Sequence, residues 1–123
     1  MEKIEIKFSA QHCISILSSI VVVLKLDETG KSYTAEIANE LSGNQEKLAP
    51  LPKRILTAFT ENAINKILSK DEIPNDSGMA VLDGYSYEIK ITKGDICKEY
   101  YADDANIETY PLLRYLASWC RRQ

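Results

Sequence analysis

Apolar and polar residues alternate in KIEIKF near the start of the chain. Ile4, Ile6 and Phe8 fall on one side, Glu5 and Lys7 on the other. A period of two sends successive side chains to opposite faces of a pleated strand, so this stretch predicts a half-buried β-strand. SAQHCISILS (9–18) fits either a short helix capped by Ser9 or a turn into the next strand. SIVVVLKL (19–26) is a strand by its β-branched content, and Val21–Val23, apolar on both sides, predicts a central position in a sheet. DETGK (27–31) supplies a glycine turn and SYTAEIA (32–38) a returning strand. ELSGNQEKLAPLP (40–52) is a polar loop.

The period then changes. Ile55, Leu56, Phe59, Ala63, Ile64, Ile67 and Leu68 recur at spacings of three and four, with Lys53, Arg54, Glu61, Asn65 and Lys66 mainly opposite. This predicts one amphipathic helix that starts near Pro52, where a missing N–H costs nothing, and ends in KDEIPNDSG before Pro74. MAVLDG (79–84) predicts a short strand and turn. Tyr85, Tyr87, Ile89 and Ile91 alternate with Ser86, Glu88, Lys90 and Thr92, and ICKEYY (96–101) returns as the second arm of a hairpin. With Lys93-Gly94 as a two-residue loop, Ile91 faces Ile96, Tyr87 faces Tyr100, and Glu88 faces Glu99 on the outer side. Like charges directly opposed weaken a sheet, so that register implies a face not optimised for the free chain. After the loop ADDANIET, PLLRYLASWCRR predicts a closing helix with Leu112, Leu113, Leu116, Trp119 and Cys120 as its buried stripe. The order, roughly βββ-α-β-ββ-α, lacks regular βαβ alternation. It predicts a single α+β domain over 1–123, a mainly antiparallel sheet with two main helices against one face.

Charge sharpens this picture. The chain carries 15 basic and 18 acidic residues, net −3. Residues 71–110 hold ten of the acids against three lysines, while Arg114, Arg121 and Arg122 follow. A net acidic chain argues against nucleic-acid binding, which needs a basic surface. ISILSSIVVVL (14–24) is too short to span a bilayer, and Glu2 and Glu5 spoil a signal-peptide start, so a membrane role and secretion are not expected. Three cysteines, Cys13, Cys97 and Cys120, are an odd number at spacings outside any CxxC motif. They fit a reduced, cytoplasmic compartment.

Chemistry-bearing motifs are sparse. His12 is the sole histidine. It sits beside Cys13, which on a strand would point to the other face, against a metal site or a nucleophile pair of the two; Cys97 or Cys120 meeting His12 in space is the route left open. No GxGxxG, GxxxxGK[ST] or GxSxG occurs, and DDANIE lacks the ligand spacing of an EF-hand. No cofactor and no metal are expected. Asp103 and Asp104, with Glu99 or Glu108, are the acids available to an acid/base enzyme, although neighbouring loop acids are usually just solvated.

Six of the seven tyrosines lie between 85 and 115. Tyr87 belongs with Ile89 and Ile91. Tyr100 and Tyr101 are consecutive on a strand, so one of them faces away from the core. Tyrosine among carboxylates suits a protein interface: the ring supplies area with few rotamers to lose, and the acids steer a basic partner.

The hairpin and helix of the last 40 residues resemble the ending of small bacterial immunity proteins of contact-dependent inhibition and related toxin systems. The resemblance rests on DGYSYEIKI followed by N-x-x-x-YP: Asp83, Gly84, Tyr87, Ile89, Ile91, Asn106 and Pro111. Arg114 stands where an aromatic is usual. The resemblance implies a protein partner, a toxin domain, and the local acidity then predicts that Asp95, Glu99, Tyr101, Asp103, Asp104 and Glu108 form the patch that covers its basic catalytic cleft; the alternative for the same acids is that they only keep a small domain soluble. The rival readings are a small adaptor or structural subunit of a phage or secretion assembly, and an enzyme using the Asp/Glu/Tyr cluster. Nothing in the sequence sets an oligomeric state.

Overall fold

The computed structural model describes residues 2–12, 19–29, 33–39, 51–73, 85–104 and 106–121. Its elements are β1 (Ile4–His12), β2 (Ser19–Leu26), β3 (Tyr33–Asn39), α1 (Lys53–Ala58), α2 (Glu61–Leu68), β4 (Tyr85–Lys93), β5 (Ile96–Asp103), a 3-10 turn (Ile107–Thr109) and α3 (Pro111–Arg121). The five strands form one antiparallel sheet in the order β3-β2-β1-β4-β5. The fold is α+β. The ambiguous start of 9–18 resolves as a continuation of β1 through His12, and 13–18 and the stretch 79–84 lie outside the described residues.

Alternation accounts for the sheet. Ile4, Ile6, Phe8 and Ala10 of β1, Ile20, Val22, Leu24 and Leu26 of β2, and Tyr87, Ile89 and Ile91 of β4 are buried on one face. They join Ile55, Phe59, Ile64 and Ile67 and the α3 stripe in a single core, so the helices cover that face. β2 is an interior strand, as its apolar run predicts, but the central place belongs to β1, which pairs with β2 and β4.

The helix expected over 52–68 is two helices. Thr60 is extended (φ −123°, ψ 160°) and caps α2, its hydroxyl accepting from the Ala63 N–H at 3.1 Å. Packing supplies the reason. In one unbroken helix, five residues at 3.6 per turn would turn Ile64 about 140° away from Phe59. The break lets both side chains reach the core, and both are fully buried.

The hairpin register also differs from expectation. The turn is Gly94-Asp95, with Lys93 paired to Ile96, Ile91 to Lys98, Ile89 to Tyr100 and Tyr87 to Ala102. Gly94 has φ +55° and no other residue type takes a positive φ among the described residues. A tight turn with glycine at its first central position needs that one positive φ; glycine at the second position of a type I′ turn would have required Lys93 to adopt it too. The two-residue slip keeps every side chain on its expected face. It removes the clash of glutamates: Glu88 faces Tyr101, and Glu99 faces Lys90.

Candidate functional site

The sheet face opposite the helices is open over β1, β4 and β5. Rows run across it in register: Ser9, Glu88, Tyr101; then Lys7, Lys90, Glu99; then Gln11, Ser86, Asp103. Towards β2 the character changes, because Val21 on the same face is buried. Tyr101 is 68 % exposed, whereas its neighbour Tyr100 is 2 % exposed. The Tyr100 hydroxyl reaches the carbonyls of Ile67 (3.1 Å) and Lys70 (2.9 Å) at the end of α2. Lys98 donates to the Leu68 carbonyl at 3.0 Å, a cation at the negative end of that helix. Thus the inner side of β5 is held to α2, and its outer side presents Cys97, Glu99 and Tyr101 to solvent. Lys7, Ser9, Glu88, Lys90, Glu99 and Tyr101 line a shallow groove of about 210 Å³ there.

The six acidic and aromatic residues singled out from the sequence do not form one patch. Glu99, Tyr101 and Asp103 share the open face. Asp95 is at the hairpin turn, at the other end of β5, where it lines an open hollow of about 800 Å³ with Glu2, Glu5, Asp27 and Glu28. Asp104 points into the fold. Its carboxylate accepts from the Tyr85 N–H at 2.9 Å and from the Tyr87 hydroxyl at 2.5 Å, and lies 3.4 Å from Arg121 Nη1. Glu108 lies 3.9 Å from the same guanidinium. Arg121 thereby ties the end of β5 to α3. Folding accounts for Asp104, and Glu99 and Asp104 are directed to opposite sides of the sheet. Asn106 completes the corner, accepting from the Asp103 N–H at 2.9 Å and donating to the Ile73 carbonyl at 3.3 Å.

Electrostatics follow burial. The Tyr87 hydroxyl is held well above its ordinary range, first by burial and then by its hydrogen bond to the Asp104 carboxylate. Burial also raises Tyr100, and pushes the Cys120 thiol up to about 12, with Arg121 opposing. These are scaffold groups kept neutral at ordinary pH. Cys97 is exposed and Cys120 buried; His12 lies in β1, and Cys13 lies outside the described residues. Among the described residues no three His, Cys, Asp or Glu side chains converge as metal ligands, and no helix is long and apolar enough to cross a membrane.

No protein-family model, curated protein or solved structure matches this chain. The site therefore stands on its own geometry. Sequence reasoning missed Lys7, Ser9 and Lys90, because only the β1–β4 pairing brings them beside β5. It also missed the Arg121 ion pairs; an arginine at a helix end reads as a partner for the dipole, and nothing local signals the carboxylates across the corner.

Proposed function

We propose that this chain is a protein-binding module, with a binding rather than a catalytic role, and that it engages its partner through the open sheet face at β4 and β5. The observation that carries the reading is Tyr101, most of its ring in water on an edge strand, with Glu88 opposite it and Glu99 two residues away. A tyrosine in that setting adds nothing to the core, while at an interface it offers rigid, desolvatable area. Glu88, Glu99 and Asp103 around it favour a basic partner and speed encounter with one. Within this reading the resemblance of the hairpin–helix ending to immunity proteins supports a toxin domain as partner, bound in the cytoplasm and blocked by cover of its basic cleft. Glu99, Tyr101 and Asp103 are the contacts expected earlier that this face keeps; Glu88 joins them. Asp104 and Glu108 act behind it as supports.

The test is to look beside this gene for a reading frame with a toxin-like C-terminal domain and to measure its binding by calorimetry and stopped flow; a neighbourhood without one would count against a toxin as partner. Tyr101→Ala should weaken affinity by about tenfold or more. Glu88→Lys and Glu99→Lys should slow association and flatten its salt dependence. Wild-type affinity, rate and salt dependence in all three variants would sink the proposal.

A further inference from the structure

The outer edge of β5, which no strand among the described residues pairs with, carries an inference beyond that face. Lys93 and Ile96 close a two-residue hairpin, and such a closing pair shares both of its hydrogen bonds. Bonded and non-bonded pairs alternate from there, so the even-numbered residues of β5 bond to β4. The odd-numbered residues turn their N–H and C=O to the edge. Two contacts confirm the phase. The Asp103 N–H goes to Asn106 Oδ1 rather than to β4, and the Tyr85 N–H meets the Asp104 carboxylate where the ladder would continue. Cys97, Glu99 and Tyr101 therefore aim their backbone groups away from the sheet, and their side chains are exposed as well. An edge of this kind is a template for another strand.

Which strand fits is decided by charge. Antiparallel pairing of β5 with its own copy allows a few two-fold registers. Centred on Glu99, it sets that carboxylate against itself. Centred on Tyr101, it opposes Glu99 to Asp103, and centred on Lys98 it opposes two ammonium groups. Centred on Tyr100, it opposes Glu99 to Tyr101, Lys98 to Ala102 and Cys97 to Asp103, with no like charges face to face. The same register pairs edge N–H and C=O groups of Glu99 with those of Tyr101 in both directions.

We propose that two copies of this chain join β5 to β5 about Tyr100, making one continuous sheet. The open faces then merge into shared rows: Lys90 and Glu99 of one copy, followed by Tyr101 and Glu88 of the other. Each copy completes the binding face of its neighbour. A single pair of short strands buries less than a standard interface, so the association is weak and concentration-dependent.

Sedimentation equilibrium and amide exchange by NMR test this on the intact chain. The weight-average mass should rise from 13.9 kDa toward twice that value with concentration. Between about 20 μM and about 1 mM, exchange at the Glu99 and Tyr101 amides should slow severalfold, while Lys98 and Tyr100, already bonded to β4, stay unchanged. Glu99→Pro removes one edge N–H that the monomer does not use and should abolish both effects; Glu99→Gln should keep them. A mass independent of concentration, concentration-independent exchange at Glu99 and Tyr101, or a dimer that survives Glu99→Pro would overturn the inference. Glu88→Lys separates it from the proposed partner binding, because Glu88 lies on β4 and off the edge: the variant should self-associate like wild type while binding the partner more slowly, and a wild-type chain that binds the partner without self-associating defeats only the dimer.

Discussion

Asp103 and Asp104 are adjacent and chemically alike, yet they have different tasks. Asp103 still belongs to the strand, with its side chain on the open face. Asp104 lies past the strand end and fills the position where β4 needs an acceptor. Replacing it with alanine strands the Tyr87 hydroxyl and the Tyr85 N–H and removes one carboxylate from Arg121. Asp104→Ala should cost about 2 kcal/mol of stability, and Asp104→Asn, which keeps one acceptor oxygen, roughly half as much. Urea unfolding measures both, and a loss within about 0.5 kcal/mol of zero for alanine would contradict the role given to Asp104. Buried thiol and phenol groups also set a response to base. The Cys120 thiol ionises at an ordinary value of 9.0 when unfolded but near 12 when folded. Its contribution is thus complete below pH 9 and lost as pH rises toward 12. Tyr87 and Tyr100, also raised, add to the loss above their ordinary value of 10.0. Stability should fall above pH 9 by up to about 1.4 kcal/mol per pH unit from Cys120. Cys120→Ala lowers stability at neutral pH by leaving a small cavity, but it should flatten the decline between pH 9 and 10. An unchanged slope would show that Cys120 does not carry it.

At the scale of elements, two short signals outweigh longer patterns. The TEN segment at 60–62 begins a new helix inside what reads as a continuous apolar stripe, because Thr60 supplies an acceptor for a helix N-terminus and packing rewards the bend. Gly94 sets the hairpin by taking the first turn position. A Cβ there would approach the flexible Glu2 carboxylate within 2.6 Å, which that side chain relieves by rotating; the φ of +55° is the lasting obstacle. Gly94→Ala should destabilise the protein by about 1 kcal/mol or more, because alanine disfavours positive φ. Thermal melts compare it with wild type, and an equal or higher Tm would show that the turn readily converts to another type.

For the whole molecule, the consequence of the layering is a division of labour. One sheet face and three helices form the core, and the opposite face at β1, β4 and β5 is free to vary. Substitutions there should separate binding from folding. Tyr101→Ala and Glu99→Lys should change unfolding free energy by about 0.5 kcal/mol or less, even though the same variants are expected to impair partner binding. A large loss of stability in Tyr101→Ala would assign that ring to the fold after all. Lys7 and Lys90 face each other in the groove beside Glu88 and Glu99, so the face is not uniformly acidic, and a matching partner must present a basic surface with carboxylates interspersed.

Local periodicity determined much of this protein. The two-residue alternation in β1 and β4 and the stripe of α3 follow from backbone geometry that each segment carries by itself. The same geometry dictates that Tyr100 and Tyr101 part, one inward and one outward. What only the tertiary structure decided depends on partners distant in the chain. β1 lies at the centre because strands from both ends of the chain pair with it. The hairpin slips by two residues because Gly94 takes the first turn position and the slip separates Glu88 from Glu99, and parity alone cannot tell the two registers apart. Asp104 is a scaffold residue because Tyr87 and Arg121 arrive beside it, and the open face gains Lys7 and Ser9 only once β1 lies against β4. Residue type states what a group can do; the neighbours brought by folding settle which of those things it does.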